Sequence, residues 1–158
     1  DPDDPIFTPA GNIPDRIRDY CRKTNQDVPR NEAEIVRCIN ESLAFKYRIA
    51  LEEIEDCTDK KYSKLYMLGG GTQSRLLSQM TANACNIKVY GGPIEATVLG
   101  NIAIQLIASG NIKDLKEARR IINDSHNIDE YIPKEYKLWD KEFSRFKKII
   151  KKGELIKC

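Results

Sequence analysis

The sequence predicts a helix-rich α/β fold built around a short pair of parallel strands. Three observations lead there. No Gly or Pro interrupts the chain between Asn31 and Leu68, and apolar residues recur there at helical spacing. Two short apolar runs follow, each closed by glycines and each leading into a helical pattern. Strand–helix–strand–helix with short links implies parallel pairing through a right-handed crossover. Two parallel strands make no stable sheet alone, so a preceding part of a longer protein is expected to supply more.

The elements can be justified in order. Residues 1–12 carry three prolines and alternate polar with apolar positions, which reads as an extended connector. A first helix is expected at about 14–25, with Pro14 in its first turn and Ile17, Tyr20 and Cys21 on one side. Pro29 stops the chain before Asn31-Glu32-Ala33-Glu34, where Asn31 can cap and Glu34 can reach back. One long amphipathic helix should then cover 32–57, with Val36, Ile39, Leu43, Tyr47, Ala50 and Ile54 as its apolar face. Arg37, Glu41, Lys46, Glu52 and Glu55 form the solvated side. Residues 64–68 read as a buried strand, and 74–85 as a helix through Leu76, Leu77, Met80 and Ala84, ended by a left-handed Asn86. Residues 87–90 are a second strand. Residues 94–109 form a helix apolar nearly all round, which should be buried, with Ala96, Gly100 and Ala103 as a small-residue rail against the sheet. On such a buried helix Asn101 and Gln105 need partners. A weaker helix is expected at 114–123 and a last one at about 134–152, with Trp139, Phe143, Phe146 and Ile150 as its stripe. Residues 134–158 hold nine Lys/Arg against four Asp/Glu, which reads as a docked terminal helix with a solvated basic face. The organisation expected is thus a connector at 1–12, a partial domain at 13–133 and a basic amphipathic helix at 134–158.

Composition bounds the function. The chain has 158 residues, 41% hydrophobic, with 26 Lys+Arg against 24 Asp+Glu. That is enough for a packed core, and it excludes a disordered tail, a collagen-like chain and a disulfide-dense miniprotein. The near-neutral balance gives no case for nucleic acid, and no apolar run approaches the ~20 residues that span a bilayer. The start at Asp1-Pro2-Asp3-Asp4-Pro5, with neither Met nor signal segment, suggests a piece of a longer protein. Five cysteines with no CxxC pair and a single His leave too few ligands for zinc, and an odd count suggests a reducing, cytoplasmic setting. Cys21 and Cys38 lie on neighbouring helices and could meet. Two half-buried thiols are the favoured reading over a disulfide. Cys158 is the last residue, so it is no prenylation site.

The informative stretch is Gly69-Gly70-Gly71-Thr72-Gln73-Ser74, between a strand and a helix. Glycine lets backbone approach a ligand, and the helix start offers free amides. A phosphate-wrapping loop needs a Lys before Ser/Thr, and none is here. Gly69, Gly71 and Ser74 nearly fit a dinucleotide fingerprint, but the second strand ends in Tyr90-Gly91-Gly92 without the acid that would bind ribose. A plain connecting turn is the remaining alternative. The second layout, Gly91-Gly92-Pro93-Ile94-Glu95-Ala96-Thr97, weighs against it by repeating strand–glycine–helix beside the first. Glu95 in a first helical turn reads as structural. His126, in a polar loop, is a poor base.

Leu68-Gly69-Gly70-Gly71-Thr72-Gln73-Ser74, Leu77, Gln79, Ala82 and Ala84, together with Gly92 to Thr97, Leu99-Gly100-Asn101 and Gln105-Leu106, resemble the C-terminal part of the FGGY carbohydrate kinases. Asp4-Pro5-Ile6-Phe7, Glu34 to Ile39, Ser42-Leu43-Ala44 and Tyr47 extend the similarity toward the rhamnulokinase branch of that family. It runs from about Asp3 to Ile122. The resemblance implies a ribonuclease H-like domain of the actin/hexokinase type, one of two hinged about a cleft. It also implies transfer of the terminal phosphoryl group of ATP, with Mg2+, to the C1 hydroxyl of L-rhamnulose. Gly69, Gly70 and Gly71 would hold adenosine, with Gly70 against the nucleotide. Ser74 stands where family members often carry an Asn that contacts adenine. Asn83 and Asn86 replace a frequent Asp and Gly. The family's phosphate loop, sugar contacts and general base lie upstream of this region, so the chain alone is expected to be inactive, with no catalytic or metal-ligating residue of its own. A kinase for another ketose or polyol, or a non-catalytic binding module, are the alternatives.

Overall fold

The computed structural model describes the backbone of residues 1–155 and side chains to Lys151; Cys158 lies outside the described residues. The first helix, α1 (Ile13–Lys23), starts at Asn12 with Pro14 in its first turn, and buries Ile17, Tyr20 and Cys21. The segment before it is not uniformly extended. Pro5–Phe7 make a 3-10 turn capped by Asp4, and the Phe7 ring lies 5.6 Å from that of Tyr20.

Helix α2 (Glu32–Thr58) begins with the expected cap: the Asn31 side chain accepts from the Glu34 amide at 2.9 Å. Glu34 reaches back one residue further than foreseen, to the Arg30 amide at 2.6 Å. The buried face of α2 differs from the expected one. Ile35, Ala44 and Phe45 are buried, whereas Val36, Tyr47 and Ile54 are exposed. The aromatic side of the last helix settles the choice between two adjacent apolar stripes, because Phe45 meets Trp139, Phe143 and Phe146 at ring distances of 5.1–5.8 Å. Such contacts outweigh the aliphatic stripe.

Strands β1 (Lys64–Met67) and β2 (Lys88–Gly91) pair in parallel, as expected, with Met67 opposite Gly91. A third strand, β3 (Asp129–Tyr131), adds antiparallel to β2, so the sheet is mixed with order β1-β2-β3. β3 has only three residues and its two polar ones are exposed. It gives no alternating pattern to read.

One sheet face carries Met67, Val89 and Tyr131 and packs with Leu77 and Ala82 of α3 (Arg75–Cys85). Helix α3 is sandwiched between the sheet and α2, so even Ser78, Thr81 and Asn83 are buried. Of the residues that mark its helical spacing, Leu77, Met80 and Ala84 are buried and Leu76 is exposed at the helix start. Asn86 ends α3 in the left-handed conformation, φ 54°. Buried Asn83 accepts from the Lys134 amide and from Gln79, which also donates to the Ile132 carbonyl. These bonds fix the chain after β3. The other sheet face is uncovered: Tyr66 stacks on Tyr90 at 5.3 Å, and Glu130 accepts from Tyr90 and pairs with Lys88. The hydrogen bond from Lys88, then that from Tyr90, holds the Glu130 carboxyl below its usual range.

Helix α4 (Ala96–Ala108) departs most from expectation. It packs with α5 (Leu115–Ser125) through Ala103, Ile112 and Ala118 and leaves most of its surface, Asn101 and Gln105 included, exposed. The expected rail against the sheet is not formed, since a Cβ added at Gly100 would meet nothing within 4 Å. Helix α6 (Tyr136–Leu155) docks its aromatic stripe as expected, Trp139, Phe143 and Phe146 being buried with Phe45, Met80 and Ala84. Arg48 of α2 donates to Glu52 and Asp140, and its guanidinium lies 3.9 Å over the Phe143 ring.

Candidate nucleotide site

Parallel pairing with Met67 opposite Gly91 brings the ends of β1 and β2 to one edge, so both glycine turns leave the sheet side by side. In open α/β sheets this carboxyl edge is where ligands bind. Two backbone bonds tie the turns: Gly92 donates to the Met67 carbonyl at 2.8 Å, and Gly69 to that of Pro93 at 3.2 Å.

The first turn is shaped by Gly69, at φ 82° and ψ −166°, a conformation reserved for glycine. Gly70–Gln73 then form a 3-10 turn, closed by the Thr72 hydroxyl and amide donating to the Gly69 carbonyl at 2.8 and 3.1 Å. Ser74 caps α3, its Oγ accepting from the Leu77 amide at 3.2 Å. The oxygen is thereby engaged, while its own hydrogen remains available to a ligand acceptor.

Gly70 and Gly71 have neither a positive φ nor any atom within 4 Å of the place a Cβ would occupy. Their bare backbone faces open space. Beside Gly69 lies a shallow recess of about 270 Å3 between Leu68, Ile94, Ala96 and Thr97. Its lining mixes the apolar Leu68, Ile94 and Ala96 with backbone and the polar Thr97, without Lys, Arg or carboxylate. Such a surface suits the flat face of a neutral heterocycle better than a phosphate chain. The sequence had singled out the glycines and Ser74, but not Leu68 and Ile94 as walls. Their position follows from strand register, which no local pattern states.

The remaining candidates lie elsewhere or do other work. Glu95 precedes the first turn of α4, is exposed and makes no side-chain capping bond. His126 is exposed, its Nδ1 3.1 Å from the Ile122 carbonyl. Among the described residues no group of three or more His, Cys, Asp or Glu is placed to hold a metal, and no helix is long and apolar enough to cross a membrane. Cys21 and Cys38 do come together, both as free thiols. The neighbouring Cys38 thiol and burial raise Cys21 above the ordinary thiol range, while the Cys21 thiol beside it holds Cys38 below that range.

Comparison with known proteins adds to this geometry. Residues 1–109 match the model of the FGGY family of carbohydrate kinases, C-terminal domain. The chain is 39% identical to a rhamnulokinase of Bacteroides thetaiotaomicron over 150 residues, which cover 95% of the chain and 31% of that protein. It is 40% identical to a rhamnulokinase of Bacillus subtilis over 132 residues, covering 84% of the chain and 27% of the relative. For a rhamnulokinase of Enterococcus faecalis the figures are 41% over 133 residues, 83% and 27%. The chain thus spans less than a third of the length of these relatives.

Proposed function

The chain belongs to the FGGY family of carbohydrate kinases, and from that premise we propose that it is the adenosine-holding portion of a kinase that phosphorylates L-rhamnulose. The observation that carries this reading is the pair Gly70 and Gly71, whose bare backbone neither conformation nor packing requires. On this reading a purine nucleoside lies along that backbone, with its edge toward Leu68 and Ile94 and a hydrogen-bond donor at Ser74. The surrounding architecture is a ribonuclease H-like domain of the actin/hexokinase type, of which β1 and β2 are two strands. The choice of sugar rests on the relatives named as rhamnulokinases, not on any contact in this chain.

When bound, ATP supplies the terminal phosphoryl group, which passes to the C1 hydroxyl of the sugar to give L-rhamnulose 1-phosphate. This chain's part is to bind and orient the nucleoside end. The recess has no cation for the phosphates, and the described residues have no metal cage. On this reading the base for the sugar hydroxyl and any protein ligands of Mg2+ belong to the upstream part of a full-length family member, and the 158 residues alone are expected to show no kinase activity. A reducing, cytoplasmic setting fits the thiol content.

The test is Gly70→Leu in a polypeptide of full family length. The side chain would occupy the nucleoside's place, so KM for ATP rises about tenfold or more while KM for the sugar changes less than about twofold. Equal effects on both substrates would overturn the assignment.

A further inference from the structure

Two thiols side by side can hold a ligand that neither could hold alone. Cys21 of α1 is buried, Cys38 of α2 is half-buried, and both are free. They belong to one packed cluster with Ile17 and Ile35. Both also line a cavity of about 220 Å3 between α1, α2 and α6, whose other walls include Phe7, Ile13, Ile17 and Phe146. The cavity opens to the outside, so a small molecule can reach the pair. The remaining described thiols have no such setting. Cys57 stands exposed on α2. Cys85 is pushed up to about 12 by burial, and its charged neighbours are Arg48 and Glu52.

The number and kind of donors define the ligand. Thiolates are soft donors and select soft acceptors. Zinc would need four ligands, and among the described residues no group of three or more His, Cys, Asp or Glu is placed to hold a metal. A trivalent arsenical needs only two thiols and keeps one substituent, for which the apolar cavity has room. Cys38 is the thiol that attacks first, because the Cys21 thiol beside it holds it below the ordinary thiol range. We propose that Cys21 and Cys38 form a binding site for a trivalent arsenical, which bridges α1 to α2. Each sulfur forms one As–S bond and gives up its proton. The two protons leave with the oxygen of the R–As=O group as one water, and nothing is oxidised or reduced. This inference depends neither on the family nor on where the nucleoside binds.

The test adds phenylarsine oxide to the reduced 158-residue chain and follows it by intact and peptide mass. One phenylarsenic group should bind per chain and protect both Cys21 and Cys38 from a maleimide. It should stay in place in excess 2-mercaptoethanol and leave with the dithiol 2,3-dimercaptopropanol. A clasp of two As–S bonds holds at least about a hundredfold more tightly than one. Cys21→Ala and Cys38→Ala should therefore each lose the arsenical to 2-mercaptoethanol, while Cys57→Ala keeps it. Release from the unaltered chain by 2-mercaptoethanol would overturn the proposal, and this measurement holds even where a variant fails to fold. Protection of Cys57 or Cys85 in place of the pair would overturn it as well.

Discussion

The two glycine turns look alike in sequence, each ending a strand and opening toward a helix, yet they are built for different purposes. At the second turn the glycines are packed. Gly91 is buried, and a Cβ there would lie 3.7 Å from the Tyr131 ring and 3.9 Å from the Asp129 carbonyl; at Gly92 it would come 2.5 Å from Leu68 Cδ2. At the first turn Gly69 is demanded by conformation, and Gly70 and Gly71 by nothing inside the chain. Glycine that fills a tight place is a packing residue. Glycine that borders empty space leaves room for something from outside. The contrast is what makes one turn a candidate floor and the other its support.

The strongest way to probe the contrast is Gly91→Leu. The added side chain would enter the sheet face shared by Met67, Val89 and Tyr131, which has no free volume toward the ring. Overpacking of this kind costs about 3 kcal/mol at its upper end. Urea denaturation of the chain should show that loss. A change under about 0.5 kcal/mol would mean that the second turn is as open as the first, and the contrast would fail. Gly69→Ala comes next. A Cβ there meets only the Ile94 carbonyl, at 4.0 Å, so the cost is pure backbone strain of about 2 kcal/mol. Ser74→Ala removes the cap that receives the Leu77 amide and should cost about 1 kcal/mol. If Ser74→Ala also weakens nucleotide binding in the full-length polypeptide, the hydroxyl serves both tasks. If stability alone changes, Ser74 is a cap and not a contact.

Much of this was legible in the sequence because it is local. The Asn31 cap, the left-handed Asn86 and the aromatic stripe of α6 each depend on residues close together in sequence, and the parallel pair follows from two strand–helix units joined by short links. What failed depends on distant partners. The apolar face expected for α2 is Val36, Ile39, Leu43, Tyr47, Ala50 and Ile54; Leu43 does pack against the core, but Val36, Ile39, Tyr47 and Ile54 are exposed, because Phe45 follows the aromatic side of α6, about a hundred residues away. Strand β3 exists through pairing with β2 and carries no signal of its own. Helix α4 is the instructive miss: its composition reads as a buried helix, yet in the structure only the side toward α5 is covered. At the site, the glycines and Ser74 were visible as a motif, whereas Leu68 and Ile94 became walls only once register set the two turns together.

The smallest expected effect on stability is the most informative. Gly70→Leu introduces a side chain where no atom lies within 4 Å of its Cβ and where φ is not positive, so neither overpacking nor left-handed strain applies. The unfolding free energy of the chain in urea should change by no more than about 0.5 kcal/mol, as for other surface changes. The same substitution in the full-length kinase should raise KM for ATP. A substitution silent in folding but costly in nucleotide binding separates a surface kept bare for a ligand from a turn kept bare for packing. Were Gly70→Leu to destabilise the chain as much as Gly91→Leu, the first turn would be a packed connector like the second, and the nucleoside would have to lie elsewhere.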